Sequence, residues 1–185
     1  WGAELSYNIK AYERQKSELS LFATASYQAN KVLSTGGEIV QSLPNVIREG
    51  YPAYAFVQKK VIGANYDKEG KFIGAKESSD EHYLGKPFPD FNGAFGADWK
   101  LFDKKLSLGI KFNYSVGASL YNMGHYLVAQ MGDNLKKVEI LKDQLKTQTV
   151  GSDGYKNIAE QLAFVSAPGR SNYIEHADFI RLSSL

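Results

Sequence analysis

The residues best equipped for chemistry in this chain are three histidines, His82, His125 and His176, and a run of acids and hydroxyls between Asp67 and His82. The histidines lie far apart and share none of the spacings by which imidazoles hold a metal or complete a nucleophilic triad. Ser78-Ser79-Asp80-Glu81-His82 places hydroxyl, carboxylate and imidazole side by side, but adjacent residues rarely converge on one reacting atom. An exposed polar loop is the plainer reading. Asp67-Lys68-Glu69-Gly70 offers fewer oxygen ligands than a calcium loop supplies at regular intervals, and reads as a solvated turn. Ser34-Thr35-Gly36-Gly37 has no lysine-serine sequel and forms a turn rather than a phosphate cradle. With no cysteine, thiolate ligands, thiol nucleophiles and disulfides are all excluded. No catalytic residue, metal or cofactor is therefore assigned, and the chain is not expected to be an enzyme. Tyr51, Tyr54, Tyr121 and Tyr126 are candidate contacts for a sugar or peptide, with packing among the loops as the alternative.

The elements that would position these side chains are written in a period of two. From Leu106 to Val116, the residues Leu106, Leu108, Ile110, Phe112, Tyr114 and Val116 face one way, and Ser107, Gly109, Lys111, Asn113 and Ser115 the other. Alternation over 89–101 and 106–117, split by Phe102-Asp103-Lys104-Lys105, predicts a hairpin. A second hairpin is predicted over 2–13 and 17–30, turning at Arg14-Gln15-Lys16, with Ala3, Leu5, Tyr7, Ile9 and Ala11 facing Leu19, Leu21, Ala23, Ala25 and Tyr27. Phe22 is the exception on its wet face. A fifth, weaker strand is predicted over 173–185.

Long segments, 31–88 and 118–172, join these strands at one end, while the other end has only tight turns. Tight turns on one side and large loops on the other form the layout of an outer-membrane barrel. The stretch 51–61 is strand-like, but one extra crossing would put the two short turns on opposite sides. Its partner would have to come from 62–83, which is too charged to face lipid. The stretch 51–61 is therefore expected inside the long loop, folded back over the mouth. Two helices are expected in the second long loop, one capped by Asp133 and running to about Lys146, the other over 155–165, with Gly151-Ser152-Asp153-Gly154 between them. They are read as a lid packed on neighbouring loops, with a separate partner-binding helix as the alternative.

The apolar faces supply the candidate lipid-facing residues Leu5, Ile9, Leu19, Leu21, Phe91, Phe95, Trp99, Leu106, Leu108, Ile110, Phe112 and Tyr114. Trp99, near a short turn, would sit in an interfacial belt. The wet side is mostly small and neutral, which suits an aqueous lumen better than the Lys- and Glu-rich exterior of a soluble sheet. Two alternatives stay open: a soluble carbohydrate-binding β-sandwich or barrel, and a passive porin or adhesin barrel. With 22 basic and 20 acidic residues among 185, the formal charge of +2 gives no field for nucleic acid. No apolar run approaches the eighteen or so residues of a membrane helix. The first residues start at once in strand pattern, and the last read as an interrupted strand, so further domains are expected.

Taken together, four segments resemble the SusC/RagA-type TonB-linked outer-membrane proteins (TonB-dependent transporters). They are Glu49-Gly50-Tyr51-Pro52; Tyr83-Leu84-Gly85-Lys86-Pro87-Phe88-Pro89-Asp90-Phe91; Asn113-Tyr114-Ser115-Val116-Gly117 ahead of Leu120-Tyr121-Asn122; and His176-Ala177-Asp178-Phe179-Ile180-Arg181-Leu182. Gly85, Pro87, Pro89 and Phe91 match that family's G-x-P-x-P-x-F element. Ala177, Asp178, Phe179, Arg181 and Leu182 resemble its D-x-S-F-x-R-L element, with Asp178 in place of the usual small polar residue. The acidic stretch common before the proline element is degraded around Asp67 to Gly70, so no metal is carried over. The resemblance implies an all-β fold: antiparallel strands from the later part of a plugged transmembrane barrel of about 22 strands, with long extracellular loops carrying short helices. It implies import of a bulky nutrient, a glycan or peptide, across the Gram-negative outer membrane. The implied partners are outer-membrane lipid, TonB through an N-terminal region not in this sequence, and a SusD-like surface lipoprotein. The plug domain would likewise lie outside this segment.

Overall fold

The computed structural model describes residues 1–42, 44–131, 136–166 and 170–185. Five strands, β1 (Gly2–Arg14), β2 (Ser17–Gln28), β7 (Phe91–Leu101), β8 (Leu106–Val116) and β11 (Phe179–Ser184), form one antiparallel sheet in the order β1-β2-β7-β8-β11. Each neighbour follows the last along the chain once the two long excursions are set aside, so the sheet is an open meander. Its turns at one end are short: Arg14 pairs directly with Ser17, and Leu101 with Leu106. The latter turn holds Phe102, Asp103 and Lys104 at φ of 54°, 57° and 67°, a left-handed run whose twist suits a hairpin but costs each non-glycine residue about 1 kcal/mol or more.

The alternating pattern produces this sheet because every pairing brings like faces together. Leu5 lies opposite Ala25, Ile9 opposite Leu21, Leu19 opposite Trp99, Phe95 opposite Phe112, and Tyr114 opposite Ile180. One correction comes from a bulge between Lys10 and Tyr12, which places Tyr12 rather than Ala11 opposite Leu19 on the apolar face. A bulge adds one residue and so exchanges the faces beyond it.

The excursion between β2 and β7, expected as loop, is itself a sheet. β3 (Val40–Ser42), β4 (Asn45–Ile47), β5 (Ala55–Tyr66) and β6 (Phe72–Gly85) stand in that order, antiparallel. Both 51–61 and the charged 62–83 contribute strands to it, and neither enters the five-stranded sheet. Four register irregularities break the β5–β6 ladder, and at one of them Ser78 Oγ accepts the Lys60 N–H at 3.0 Å.

The second excursion carries β9 (Ser119–Tyr121), α1 (Met123–Gln130), α2 (Lys136–Thr147), α3 (Asp153–Ser166), a 3-10 turn (Arg170–Tyr173) and β10 (Ile174–His176), with β9 pairing β10. The expected cap Asp133, and Leu135, lie outside the described residues. Helix α1 was not expected; Asn122 caps it by accepting the His125 N–H at 2.9 Å. The expected fifth strand begins later, at Phe179, because 174–176 is spent on β10.

The core sits in these excursions. Val138, Leu141 and Leu162 pack with Phe72, Leu145, Ile158 and Val165, joining α2 and α3 to the β5–β6 hairpin tip. There Tyr155 Oη accepts the Phe72 N–H at 2.9 Å. Val46, Ala55 and Val57 form a second cluster with Tyr51 against it. Among the described residues, no buried hydrophobic side chain belongs to the five-stranded sheet.

Candidate functional site

The site is the apolar face of the five-stranded sheet and its rim. All twelve candidate lipid-facing residues lie on that face and are exposed or half-buried, from Leu5 at 67% and Leu108 at 52% to the half-buried Leu19, Ile110, Phe112 and Tyr114. Ile180 and Leu182 extend the face across β11, opposite Tyr114 and Phe112. The weak alternation of that strand concealed them. Contiguous exposed apolar surfaces of this kind occur where a protein meets another protein surface or a membrane.

Aromatic side chains bound the face at both ends. Trp1, Tyr27 and Phe91 form a chain of ring contacts at the excursion end, with centroids 5.2 and 4.7 Å apart. Tyr12, Trp99 and Phe102 stand at the short-turn end, all exposed. The Trp99 indole N–H donates to Ser17 Oγ at 2.9 Å, so the ring's polar edge is satisfied where the apolar face ends. Eight residues separate Phe91 from Trp99, about 27 Å along a strand, or roughly 20 Å in height at a tilt near 40°. That is close to the apolar band of a membrane barrel, about 25 Å tall.

Two aromatic rings cover glycines of β7, one on each face. Phe22, a large apolar residue on the wet face, lies against Gly96, where a Cβ would stand 2.7 Å from its ring atoms. Tyr114 lies across from Gly93, and its hydroxyl donates to the Thr24 carbonyl at 3.2 Å. Apart from Phe22 and Phe179, which stands opposite Ser115, the wet face is mostly polar: Thr24 Oγ1 accepts the Ala94 N–H at 3.0 Å, and Glu18 faces Lys100 and Lys104 at 3.6 and 3.8 Å.

The motifs behind the family resemblance fall at the rim where the sheet meets the excursions. Lys86, 8% exposed, makes an ion pair with Asp90, and its carbonyl accepts the Ser119 N–H at 2.7 Å. Gly85 sits at φ +126° against Ser119, and Gly117 at φ +88° against the Asp90 carboxylate; neither position has room for a Cβ. Asp178 Oδ1 accepts the Gly117 N–H at 2.7 Å, and the Asp90 and Gln28 amides extend the ladder to Val116 and Asp90. These residues form a structural collar. Their role is to turn the chain out of the sheet at fixed angles.

The loop tyrosines divide into two groups. Tyr51 stacks on Tyr83 with centroids 6.0 Å apart and carries the Arg48 guanidinium 5.9 Å from its ring, while Tyr54 meets Phe88 edge-on at 6.2 Å. Tyr121 contacts Tyr126 at 5.6 Å, and Tyr126 contacts Tyr173 at 5.5 Å. Burial pushes the Tyr173 phenol above its ordinary value. His125 adjoins this second group, 3.7 Å from Glu175, while His82 and His176 lie in β6 and β10. Among the described residues no three His, Asp or Glu side chains gather as a metal site. Asp67 Oδ1 is engaged by the Glu69 and Lys71 N–H groups, each at 2.9 Å, as a hairpin turn requires.

No protein-family model and no curated protein matches the chain. Among solved structures, it is similar to a chain in the structure of the RagAB peptide transporter. The TM-score is 0.69 at 20% sequence identity, over 98% of this chain and 22% of that one. The likeness is therefore one of fold, and this chain spans about a fifth of the length of its structural neighbour.

Proposed function

We propose that this chain forms part of the wall and outer loops of a SusC/RagA-type TonB-dependent transporter. In this reading the protein imports a bulky nutrient, a glycan or peptide, through a plugged barrel of the Gram-negative outer membrane. The observation that carries it is the uncovered apolar face, continuous across five strands and edged by aromatics at both ends. Similarity of fold to a peptide-transporter chain supports it, as do the motif residues that form the collar. The five strands here are an open sheet, so closure would come from further strands pairing with the outer edges of β1 and β11. TonB and the plug would belong to that remainder, and a SusD-like lipoprotein would meet the outer loops. The tyrosine groups around Tyr51 and Tyr121 remain candidate nutrient contacts, and the role is transport rather than catalysis.

A soluble sandwich requires a second layer over the apolar face. Among the described residues, the helices and the second sheet pack on one another instead. The test is extraction of the full-length protein in detergent, followed by gel migration with and without boiling. A heat-dependent shift supports a closed membrane barrel, and full solubility without detergent overturns it.

A further inference from the structure

We propose that the short-turn rim of the apolar face binds the phosphodiester of an anionic glycerophospholipid, with Arg14 as its principal ligand. The proposal rests on the lipid-facing reading and adds a specific headgroup site to it. Register places Arg14 opposite Ser17, one pair beyond the Glu13–Glu18 pair and two beyond Tyr12 and Leu19, and so on the apolar side where that side ends. Its guanidinium carbon stands 5.8 Å from the centroid of the Tyr12 ring, which orients the fork at the level of the aromatic row.

Two of the three nearby carboxylates are engaged elsewhere. Glu13 pairs with Lys10 at 3.4 Å, and Glu18 is shared by Lys100 and Lys104. Among the described residues, Arg14, Lys16 and Lys105 hold no ion pair. On the wet side of the two turns a hollow of about 510 Å³ is lined by Glu13, Glu18, Lys100 and Lys104 and reaches Arg14, Lys16, Ser17 and Asp103, so Arg14 and Ser17 stand where it meets the apolar rim. Ser17 Oγ accepts from Trp99, which leaves its own O–H to donate outward.

A planar guanidinium matches two phosphate oxygens at once. Rings such as Trp99 and Tyr12 sit at headgroup depth, so the phosphate of a lipid whose chains lie on Leu19, Leu106 and Leu108 would reach this height. Free phosphate has no chains to use that apolar surface, and the site is assigned to the lipid.

The test uses the full-length protein purified in mild detergent, with lipid retention read by native mass spectrometry. Phosphatidylglycerol and phosphatidylethanolamine of identical chains are compared, with millimolar inorganic phosphate as a competitor. Preferential retention of phosphatidylglycerol is expected, reduced about fivefold in R14Q, as for loss of one interfacial cation. R14K, which keeps charge but not the fork, is expected to fall between them. Equal retention by R14Q, or displacement by inorganic phosphate, overturns the headgroup site alone when the heat-dependent gel shift is present in both proteins. Absence of that shift in the wild type overturns the membrane reading and this proposal together. If R14Q alone loses the shift, R14K decides: retention equal to wild type overturns a bidentate site.

Discussion

Placing an arginine at Ala23 and, separately, at Ser26 distinguishes a lipid-facing from a water-facing apolar side. Ala23 pairs with Phe95, which lies four residues from both Phe91 and Trp99. At about 3.4 Å per residue it stands roughly 14 Å along the strand from either aromatic row, hence about 10 Å in height from each. Its small side chain is exposed, so A23R removes little packing. At this depth an arginine facing lipid costs about 2–4 kcal/mol, roughly a 30- to 700-fold change in the folding equilibrium at about 1.4 kcal/mol per tenfold. Ser26 lies on the opposite face, between Glu4 and Asn92. There an arginine meets water and a carboxylate, and the change stays within about 0.5 kcal/mol. The assay is reversible urea unfolding of the full-length protein in lipid vesicles, read by gel mobility without boiling. Equal stabilities for A23R and S26R would refute the lipid assignment, because an uncovered face in water tolerates arginine on either side.

Further outcomes follow from the rim, the loops and the turn. G117A introduces a Cβ against the Asp90 carboxylate at a positive φ. It should destabilise the collar by about 1–3 kcal/mol, seen as faster proteolysis of the excursions while the wall strands stay protected. Glu49 Oε1 accepts the Thr35 N–H at 2.8 Å, and this backbone hydrogen bond holds its carboxyl below the usual value of 4.5. A depressed folded pKa stabilises above the unfolded pKa and is lost as pH falls through the folded one. The Thr35 amide should therefore stay protected from hydrogen exchange at pH 6 and lose protection only below the ordinary carboxylate range. D103G relieves one of three consecutive left-handed residues and should raise stability by up to about 1 kcal/mol, measured in the same urea titration. F22A uncovers the Gly96 backbone and should cost about 0.2–1 kcal/mol, with no effect on which face meets lipid.

Four of the five strands of the large sheet were readable in the sequence because they alternate closely, and pairing preserves that alternation except at the bulge beside Ala11 and at an irregularity between Leu182 and Ser184. Where one residue broke the count, at Ala11, the reading put the wrong side chain on the apolar face. The second sheet was missed for a related reason. Ala55, Phe56 and Val57 are buried in succession, and four register irregularities scramble any period of two along β5 and β6. Helix α1 carries apolar residues around most of its circumference, so no stripe of 3.6 periodicity announced it, though Asn122 offered a cap. The helix over 155–165 was legible from Ile158, Leu162 and Val165 and begins slightly earlier, at Asp153. At the rim, the motif residues were visible as spacing, but their work is steric: Gly85 and Gly117 leave room for Ser119 and Asp90. Such complementarity depends on partners more than twenty residues away, which local pattern does not encode.

The collar also bears on how such a chain can diversify. Strand β2 ends and β7 begins within one backbone hydrogen bond, Gln28 N–H to the Asp90 carbonyl at 3.0 Å. To the ladder, everything between those residues is equivalent to a tight connection. The intervening segment can therefore be exchanged, lengthened or grafted between homologous scaffolds without shifting the register of a single wall strand. New surface specificities become accessible while the five-stranded frame is left unchanged.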